Sequence, residues 1–184
     1  MADFACLVSI GHGLTLGSVT PGFHAGEIAR VHDFLSRHKD ISEIKLVVCE
    51  DHTDSAVLHA ILSTAEKRPE YTPAKLAIVN GQASLAAAAQ ARLYSTNNYY
   101  SWIFGLLTVY DKPDAIAAVL SLPKKVELLL LSPLDEILAP LSILAAGAEY
   151  KLAASIGGSR LTLQAQGADT PSAMLAAVVK WFGV

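Results

Sequence analysis

Short apolar runs alternate along the chain with stretches in which apolar residues recur every three or four positions. Continuous runs of this length are typical of buried strands, and the three-to-four spacing is typical of amphipathic helices. The runs predict strands at 4–10, 44–49, 76–79, 103–110 and 126–131. The spacing predicts helices at 25–39, 53–67, 83–93, 114–122 and 134–146, and a last helix at 172–182. This alternation predicts an α/β domain.

The predicted strands are apolar at almost every position instead of at every second one, as the segments 44–48 and 126–131 show. Strands of this kind are buried on both faces, which is typical of a parallel sheet with helices on each side. Near the C-terminus, residues 150–156 and 160–166 flank Gly157 and Gly158, and the second segment alternates between apolar and polar. We expect these two segments to form an antiparallel hairpin.

The predicted fold is therefore one α/β domain over residues 1–184. It is a three-layer, mostly parallel sheet of the Rossmann-like or flavodoxin-like kind, with a C-terminal antiparallel edge hairpin. Three segments carry the signal of a helix start, in which a side-chain oxygen precedes a proline in the first turn. They are Ser132-Pro133, Asp111-Lys112-Pro113 and Thr170-Pro171.

Composition narrows the class of protein further. The chain has 184 residues, of which 52% are hydrophobic and 17% are charged, and its net charge is −3. So much apolar surface excludes a disordered chain. No basic run exceeds two residues, which disfavours nucleic acid as a partner because that affinity rests largely on neutralised phosphates.

The cellular setting is predicted from the same composition. The longest purely apolar run, 173–179, has seven residues and is far short of the ~20 residues that span a bilayer, so we expect no membrane partner. The N-terminus shows no basic region before its apolar stretch, so we expect no signal peptide. Cys6 and Cys49 both lie in strand-like segments, and two buried thiols indicate a reducing compartment, so we expect a cytoplasmic protein.

The low charged fraction also bears on assembly. Soluble proteins average roughly 25% charged residues, well above the 17% of this chain. A mean hydropathy of +0.39 adds to the shortage of polar surface. We therefore expect part of the surface to be covered in a homo-oligomer.

Two loops are the strongest candidates for a binding site. In open parallel sheets, ligands bind at the carboxyl ends of the strands, near the point where the strand order reverses. In both common strand orders the first two strands are neighbours. We therefore expect the loop of Gly11, His12 and Gly13 to lie beside the loop of Glu50, Asp51 and His52.

The glycine-rich loop does not match a standard phosphate-binding motif. Gly11, Gly13 and Gly17 have G-x-G-x-x-x-G spacing, whereas the dinucleotide fingerprint is G-x-G-x-x-G followed at once by a helix. The 10–13 segment Ile-Gly-His-Gly resembles a segment of class II metal chelatases, which place a histidine after the first strand. That family needs a second histidine later in the chain, and none follows His59, so no function is carried over.

Histidines supply the candidate chemistry. All six lie in the first third of the chain, and His12 and His52 fall in the two candidate loops. Imidazoles beside carboxylates can bind a metal or act as acid and base. The chain has no HxH, HxxxH or HExxH spacing, so we assign no metal ligands and name no cofactor. The structural alternative for Asp51 is a helix N-cap.

We expect a small polar or anionic ligand at this edge of the sheet. The predicted catalytic residues are His12, His52 and Asp51, as acid and base in a hydrolase or transferase, and the predicted ligand-binding residues are Gly11, Gly13, Glu50, Asn80 and Asp111. The competing hypothesis is a non-enzymatic oligomeric assembly or interaction module. It rests on the low charge, the small-residue helix at 83–91 and the aromatic segment at 94–102.

Overall fold

The computed structural model describes residues 20–49, 53–69, 72–93, 105–165 and 170–183. Within these ranges the chain forms four parallel strands and seven helices. The strands are β1 (Lys45–Cys49), β2 (Lys75–Val79), β3 (Glu127–Leu131) and β4 (Leu161–Gln164). The helices are α1 (Thr20–Ser36), α2 (Thr53–Ala65), α3 (Leu85–Gln90), α4 (Lys112–Ser121), α5 (Ile143–Glu149), α6 (Lys151–Gly157) and α7 (Pro171–Phe182).

The strands follow one another across the sheet in the order β1-β2-β3-β4, and each pair is parallel. Val47, Ala77 and Leu129 stand in one row, so β1, β2 and β3 begin and end together. Cys49, Val79 and Leu131 close these strands at a common carboxyl edge. Residues that follow them in the chain therefore start from the same edge of the sheet.

Side chains alternate between two faces, and both faces are covered. On one face, the strands pack against apolar residues of α1, α2, α4, α5 and α6. On the other face, Val47, Ala77 and Leu129 pack against Val178 and Phe182 of α7. This explains why the strand sequences are apolar at nearly every position.

Two lysines at the beginning of β1 and β2 fix the C-terminal end of helix α7. Lys45 Nζ donates to the Phe182 carbonyl oxygen at 3.2 Å, and Lys75 Nζ donates to the Trp181 carbonyl oxygen at 3.3 Å. Lys75 also lies 4.9 Å from the centre of the Trp181 ring. Ammonium groups here offset the negative end of the helix dipole. Because the C-terminal end of α7 lies where β1 and β2 begin, α7 runs antiparallel to the strands.

The sequential strand order explains the placement of the other helices. Right-handed crossovers between neighbouring parallel strands taken in sequence put every connecting helix on the same face. The helices α2, α4 and α6 do share one face and one hydrophobic cluster. Among β1 to β4 the strand order does not reverse, so these strands contain no switch point of the kind used to predict the ligand site.

Most of the elements predicted from the pattern are confirmed. Strands at 44–49, 76–79 and 126–131 appear as β1, β2 and β3, and helices appear as predicted at α1, α2, α3, α4 and α7, with shifted ends. Asp111 and Thr170 are the N-caps of α4 and α7, each followed by a proline in the first turn. The predicted first strand, 4–10, lies outside the described residues.

The C-terminal antiparallel hairpin is not what the structure shows. Residues 151–157 form α6, and β4 pairs parallel to β3. The buried residues Ala146, Tyr150, Ala153 and Gly157 are spaced by four, three and four positions, which is the period of a helix and not of a strand. Gly157 is required for close packing, since a Cβ there would lie 3.0 Å from Leu120 Cδ1.

Two further predictions are wrong within the described residues. The part of the predicted 103–110 strand that is described, 105–110, begins with Gly105 at φ 77° and continues as a 3-10 turn, Leu106–Thr108, whose neighbour Val109 is exposed. The predicted 134–146 helix begins only after Ser142. Pro140 explains this, because a proline inside a helix removes a backbone donor.

The structure bears on two expectations about the cellular setting of the protein. Cys49, predicted to be buried, is exposed at the end of β1, and the cytoplasmic location stays a prediction. Among the described residues, no helix is long and apolar enough to cross a bilayer.

Two glycines give a matched test of the α6 packing. Gly157→Ala should lower the free energy of unfolding by about 1–3 kcal/mol, because the added methyl group meets Leu120 and Leu161 at 3.0 and 3.2 Å. Gly147→Ala, in α5, should raise it by about 0.5–1 kcal/mol, because no atom lies within 4 Å of the added Cβ and alanine favours the helix. Urea unfolding of both variants measures the difference. Equal effects from the two substitutions would contradict this packing.

Candidate functional site

Polar side chains gather where β1 and β2 end and where α2, α3 and α4 begin. We call this group the carboxyl-edge cluster. It consists of Asp54 and Ser55 of α2, Gln82 and Ser84 between β2 and α3, and Asp111 and Lys112 at the start of α4. Five of the six residues are buried, and Asp111 is half-buried. Such a concentration of buried polar groups needs internal partners.

A buried ion pair lies at the centre of the cluster. Lys112 Nζ is 2.9 Å from each oxygen of the Asp54 carboxylate, and both side chains are only 3% exposed. The backbone N–H of Ser55 donates to the same carboxylate at 2.6 Å. Burying two charges is costly, and good geometry with additional hydrogen bonds is what offsets that cost. The pair ties the first turn of α2 to the first turn of α4.

Gly81 makes room for this carboxylate. A Cβ at position 81 would lie 2.7 Å from Asp54 Oδ2 and 2.6 Å from Ile78 Cγ2. No side chain fits between those atoms, so the backbone after β2 can lie directly against Asp54 only with glycine there. The close approach connects the end of β2 to the ion pair.

Asp111 holds the N-termini of two helices at once. Its carboxylate accepts hydrogen bonds from the backbone of Leu85 at 2.8 Å and Ala86 at 3.2 Å, in α3, and from the backbone of Lys112 at 2.7 Å, in α4. The Ser84 hydroxyl donates to it at 2.5 Å. A carboxylate at a helix N-terminus satisfies free N–H groups and offsets the positive end of the dipole.

Two buried members of the cluster have no hydrogen bond among the described residues. Gln82 is 1% exposed, and neither its side-chain nitrogen nor its side-chain oxygen has a partner there. The hydroxyl of Ser55, equally buried, has none either. Buried polar atoms without a partner are rare in proteins, and each costs roughly 1–3 kcal/mol.

Carboxylates of the cluster act on the buried phenol of Tyr150. Burial raises the pKa of Tyr150 far above its ordinary value, and the charges of Asp54, Glu149 and Asp111 raise it further. The phenol is therefore neutral at physiological pH and can donate a proton to a hydrogen bond.

His59 and Tyr110 form a second polar contact beside the cluster. His59 Nδ1 lies 2.6 Å from the carbonyl oxygen of Ser55, which can only accept, so Nδ1 carries the hydrogen. His59 Nε2 then accepts the hydroxyl hydrogen of Tyr110. Burial raises the pKa of Tyr110, which keeps it a donor. The contact fixes the tautomer of the imidazole and links α2 to the start of α4.

Six of the predicted site residues cannot be placed by this structure. Gly11, His12, Gly13, Glu50, Asp51 and His52 lie outside the described residues, and so does the aromatic segment 94–102. β1 ends at Cys49 and α2 begins at Thr53. The predicted proximity of the two loops therefore stays a prediction.

Asn80 and Asp111, the two predicted site residues that are described, have different partners. Asn80 adopts the left-handed backbone, φ 54°, and its side-chain nitrogen lies 3.4 Å from Met174 Sδ of α7. Asparagine tolerates that conformation better than most residues. Asp111 lies in the cluster on the other face of the sheet. Its carboxylate is occupied by helix caps, and a role for it in binding stays a prediction.

Sequence reasoning did not single out Asp54, Lys112 or Gln82 as members of a site. Asp54 has the signal of a first-turn acidic residue, and Lys112 lies inside a capping motif. Within the part of the chain that the structure describes, no three His, Cys, Asp or Glu side chains are arranged to hold a metal ion.

Comparison with known proteins identifies no relative of this chain. No protein-family model, no curated protein and no solved structure matches the chain.

A double-mutant cycle tests the ion pair. Asp54→Asn and Lys112→Met should each lower the free energy of unfolding by about 3–5 kcal/mol, because each leaves one buried charge without its partner. The double variant should cost less than the sum by more than about 1 kcal/mol. Urea unfolding measures all four proteins, with Lys125→Met as an exposed-lysine control that should change stability by less than about 0.5 kcal/mol. Additive single effects would show that the two side chains do not interact.

Proposed function

We propose that this protein binds a small polar molecule at the carboxyl edge of its sheet, against the carboxyl-edge cluster. The observation that carries the proposal is the buried amide of Gln82, whose donor and acceptor have no partner among the described residues. The neighbouring Ser55 hydroxyl supports it in the same way. A ligand with a complementary acceptor and donor would remove the cost of burying these groups.

The position fits the general behaviour of parallel α/β sheets, whose ligands bind outside the carboxyl ends of the strands. We also propose that the whole chain is one three-layer domain of the Rossmann-like or flavodoxin-like kind. The parallel pairing of β1 to β4 and the helices on both faces of the sheet support this fold.

Charge favours an uncharged or cationic ligand over an anionic one. The starts of α2 and α4 carry three carboxylates, Asp54, Asp111 and Asp114, against one ammonium group, Lys112. Two helix N-termini, which would otherwise attract an anion, are already occupied by the Asp111 carboxylate. The sequence also has no lysine or arginine in residues 1–19, 50–52 or 94–104.

Catalysis at this edge is part of the proposal. His12 or His52 would act as acid and base, with Asp51 as their partner, in a hydrolysis or group-transfer reaction. Gly11, Gly13 and Glu50 would contact the substrate. The support is the end of β1 at Cys49, in register with Val79, which brings the chain to the carboxyl edge one residue before Glu50.

Gln82→Met tests the binding proposal, since methionine has a similar shape and no polar hydrogen. The variant should be more stable than the wild type by about 1–3 kcal/mol, because the unsatisfied amide is gone. Thermal melting with a panel of amides, polyols, nucleosides and amines should show a saturable stabilisation of the wild type. Gln82→Met and the double variant His12→Ala with His52→Ala should lose that stabilisation.

Gln90→Met, at an exposed position of α3, is the matched control and should behave as the wild type. Two results would contradict the proposal. One is a panel in which no compound stabilises the wild type. The other is a compound that stabilises Gln82→Met as strongly as the wild type, which would place the ligand elsewhere.

A second function, self-association, is favoured by a different observation. Leu144, Ala148, Leu152 and Ile156 are exposed and recur every four residues along α5 and α6. Leu144 is 83% exposed and Leu152 is 52% exposed. Apolar stripes of this kind mark interaction surfaces more often than random surface. We propose that a second copy of the chain covers this stripe.

Light scattering after size exclusion tests the self-association. The wild type should elute as an oligomer at micromolar concentration, and the double variant Leu144→Lys with Leu152→Lys should elute as a monomer. Leu175→Lys, at a 57% exposed position of α7, is the control and should keep the wild-type mass. A monomeric wild type would rule out this function without affecting the ligand proposal.

A further inference from the structure

A polar cleft lies at the amino edge of the sheet, opposite the carboxyl-edge cluster. It has a volume of about 310 Å³ and lies between the end of α1 and the residues that precede β1 and β2. That volume is at the lower end of the range for small-molecule sites, roughly 300–1,000 Å³. The polar side chains that line it are His32, Ser36, Ser42, Glu43, Thr72 and Lys124.

Thr72 gives this cleft an unsatisfied donor. Thr72 is among the residues that line the cleft, it is 1% exposed, and its hydroxyl has no hydrogen-bond partner among the described residues. Lys124 Nζ donates to the carbonyl oxygen of the same residue at 2.6 Å. The ammonium group of Lys124 is therefore held against the backbone of Thr72.

The carboxylates near the cleft already have cations of their own. Glu43 Oε2 lies 3.3 Å from Lys45 Nζ. Asp33, on the neighbouring turn of α1, lies 2.6 Å from Arg37 and 2.9 Å from Arg68. Lys124 adds a further positive charge, so four of these six described side chains are cations and two are carboxylates.

The other groups that face the cleft do not oppose an anion strongly. Burial lowers the pKa of His32 to about 4, and the charge of Lys124 contributes to the shift, so the imidazole is neutral at pH 7. The last carbonyl groups of α1 are the negative end of its dipole. The His32 carbonyl accepts the Ser36 hydroxyl at 2.8 Å, and those of Phe34 and Leu35 accept backbone N–H groups.

We propose that this cleft binds a small oxyanion, a phosphate or carboxylate group, held by the ammonium group of Lys124 and the hydroxyl of Thr72. Charge-assisted hydrogen bonds from ammonium groups are among the stronger ones in proteins. The site is independent of the carboxyl-edge cluster, which lies at the other end of the strands and carries an excess of carboxylates.

Calorimetry at pH 7 and constant ionic strength tests the site, with inorganic phosphate and acetate as separate probes. The wild type should bind at least one of them saturably, and the stronger probe identifies the anion class. Lys124→Met should weaken that binding about tenfold or more, and Thr72→Val should weaken it about threefold or more. Lys124→Arg should retain binding, and Lys125→Met, the adjacent exposed lysine, should change it less than about twofold.

Two results would overturn the proposal. One is the absence of saturable binding of either anion to the wild type at concentrations up to tens of millimolar. The other is an equal loss of binding in Lys124→Met and Lys125→Met, which would show a general effect of net charge. Urea midpoints of all variants separate loss of the site from loss of the fold, and Thr72→Val tests the site again if Lys124→Met does not fold.

Discussion

The contact between Asp54 and Lys112 is the constraint on which the carboxyl edge depends. Apolar packing assembles the sheet and its helices, but it is non-directional and does not fix how helix starts meet strand ends. The ion pair joins α2 to α4, and the glycine after β2 lets the chain lie directly on the carboxylate. Asp111 then joins α4 to α3. The helix starts are held by directional bonds, with Gln82 enclosed among them.

The two ends of the strands differ in charge, and that difference separates the two proposed sites. At the carboxyl edge, carboxylates cap helices and surround a neutral phenol, Tyr150, so an uncharged or cationic molecule is favoured there. At the amino edge, lysines fix the end of α7 and border the cleft at Thr72. Helix dipoles alone would predict the opposite preference at each edge, because helix N-termini attract anions and helix C-termini attract cations. In this protein the charged side chains at each edge determine the charge of the ligand that is favoured there.

The hydrophobic pattern and the capping motifs predict those elements that depend on interactions between residues close in sequence. The apolar runs of β1, β2 and β3 and the Asp111 and Thr170 caps needed no tertiary information. The 150–156 segment forms α6 and not the predicted strand, because its helical period becomes visible only when buried residues outside the segment, Ala146 and Gly157, are included. The ion pair joins residues 58 positions apart, so it depends on strand register and helix packing. No local signal shows that Gln82 is buried.

Nuclear magnetic resonance of the Lys112 side chain tests the central claim most directly. In full-length protein labelled with ¹⁵N, the ammonium protons of a buried, hydrogen-bonded lysine exchange slowly with water and give a resolved signal, unlike those of exposed lysines. We predict such a signal for Lys112, assigned by its loss in Lys112→Met, and, when ¹³C labelling is added, a scalar coupling across the hydrogen bond to the Asp54 carboxylate carbon. Rapid exchange, matching that of Lys125, would show that the pair is open to solvent and does not organise the carboxyl edge.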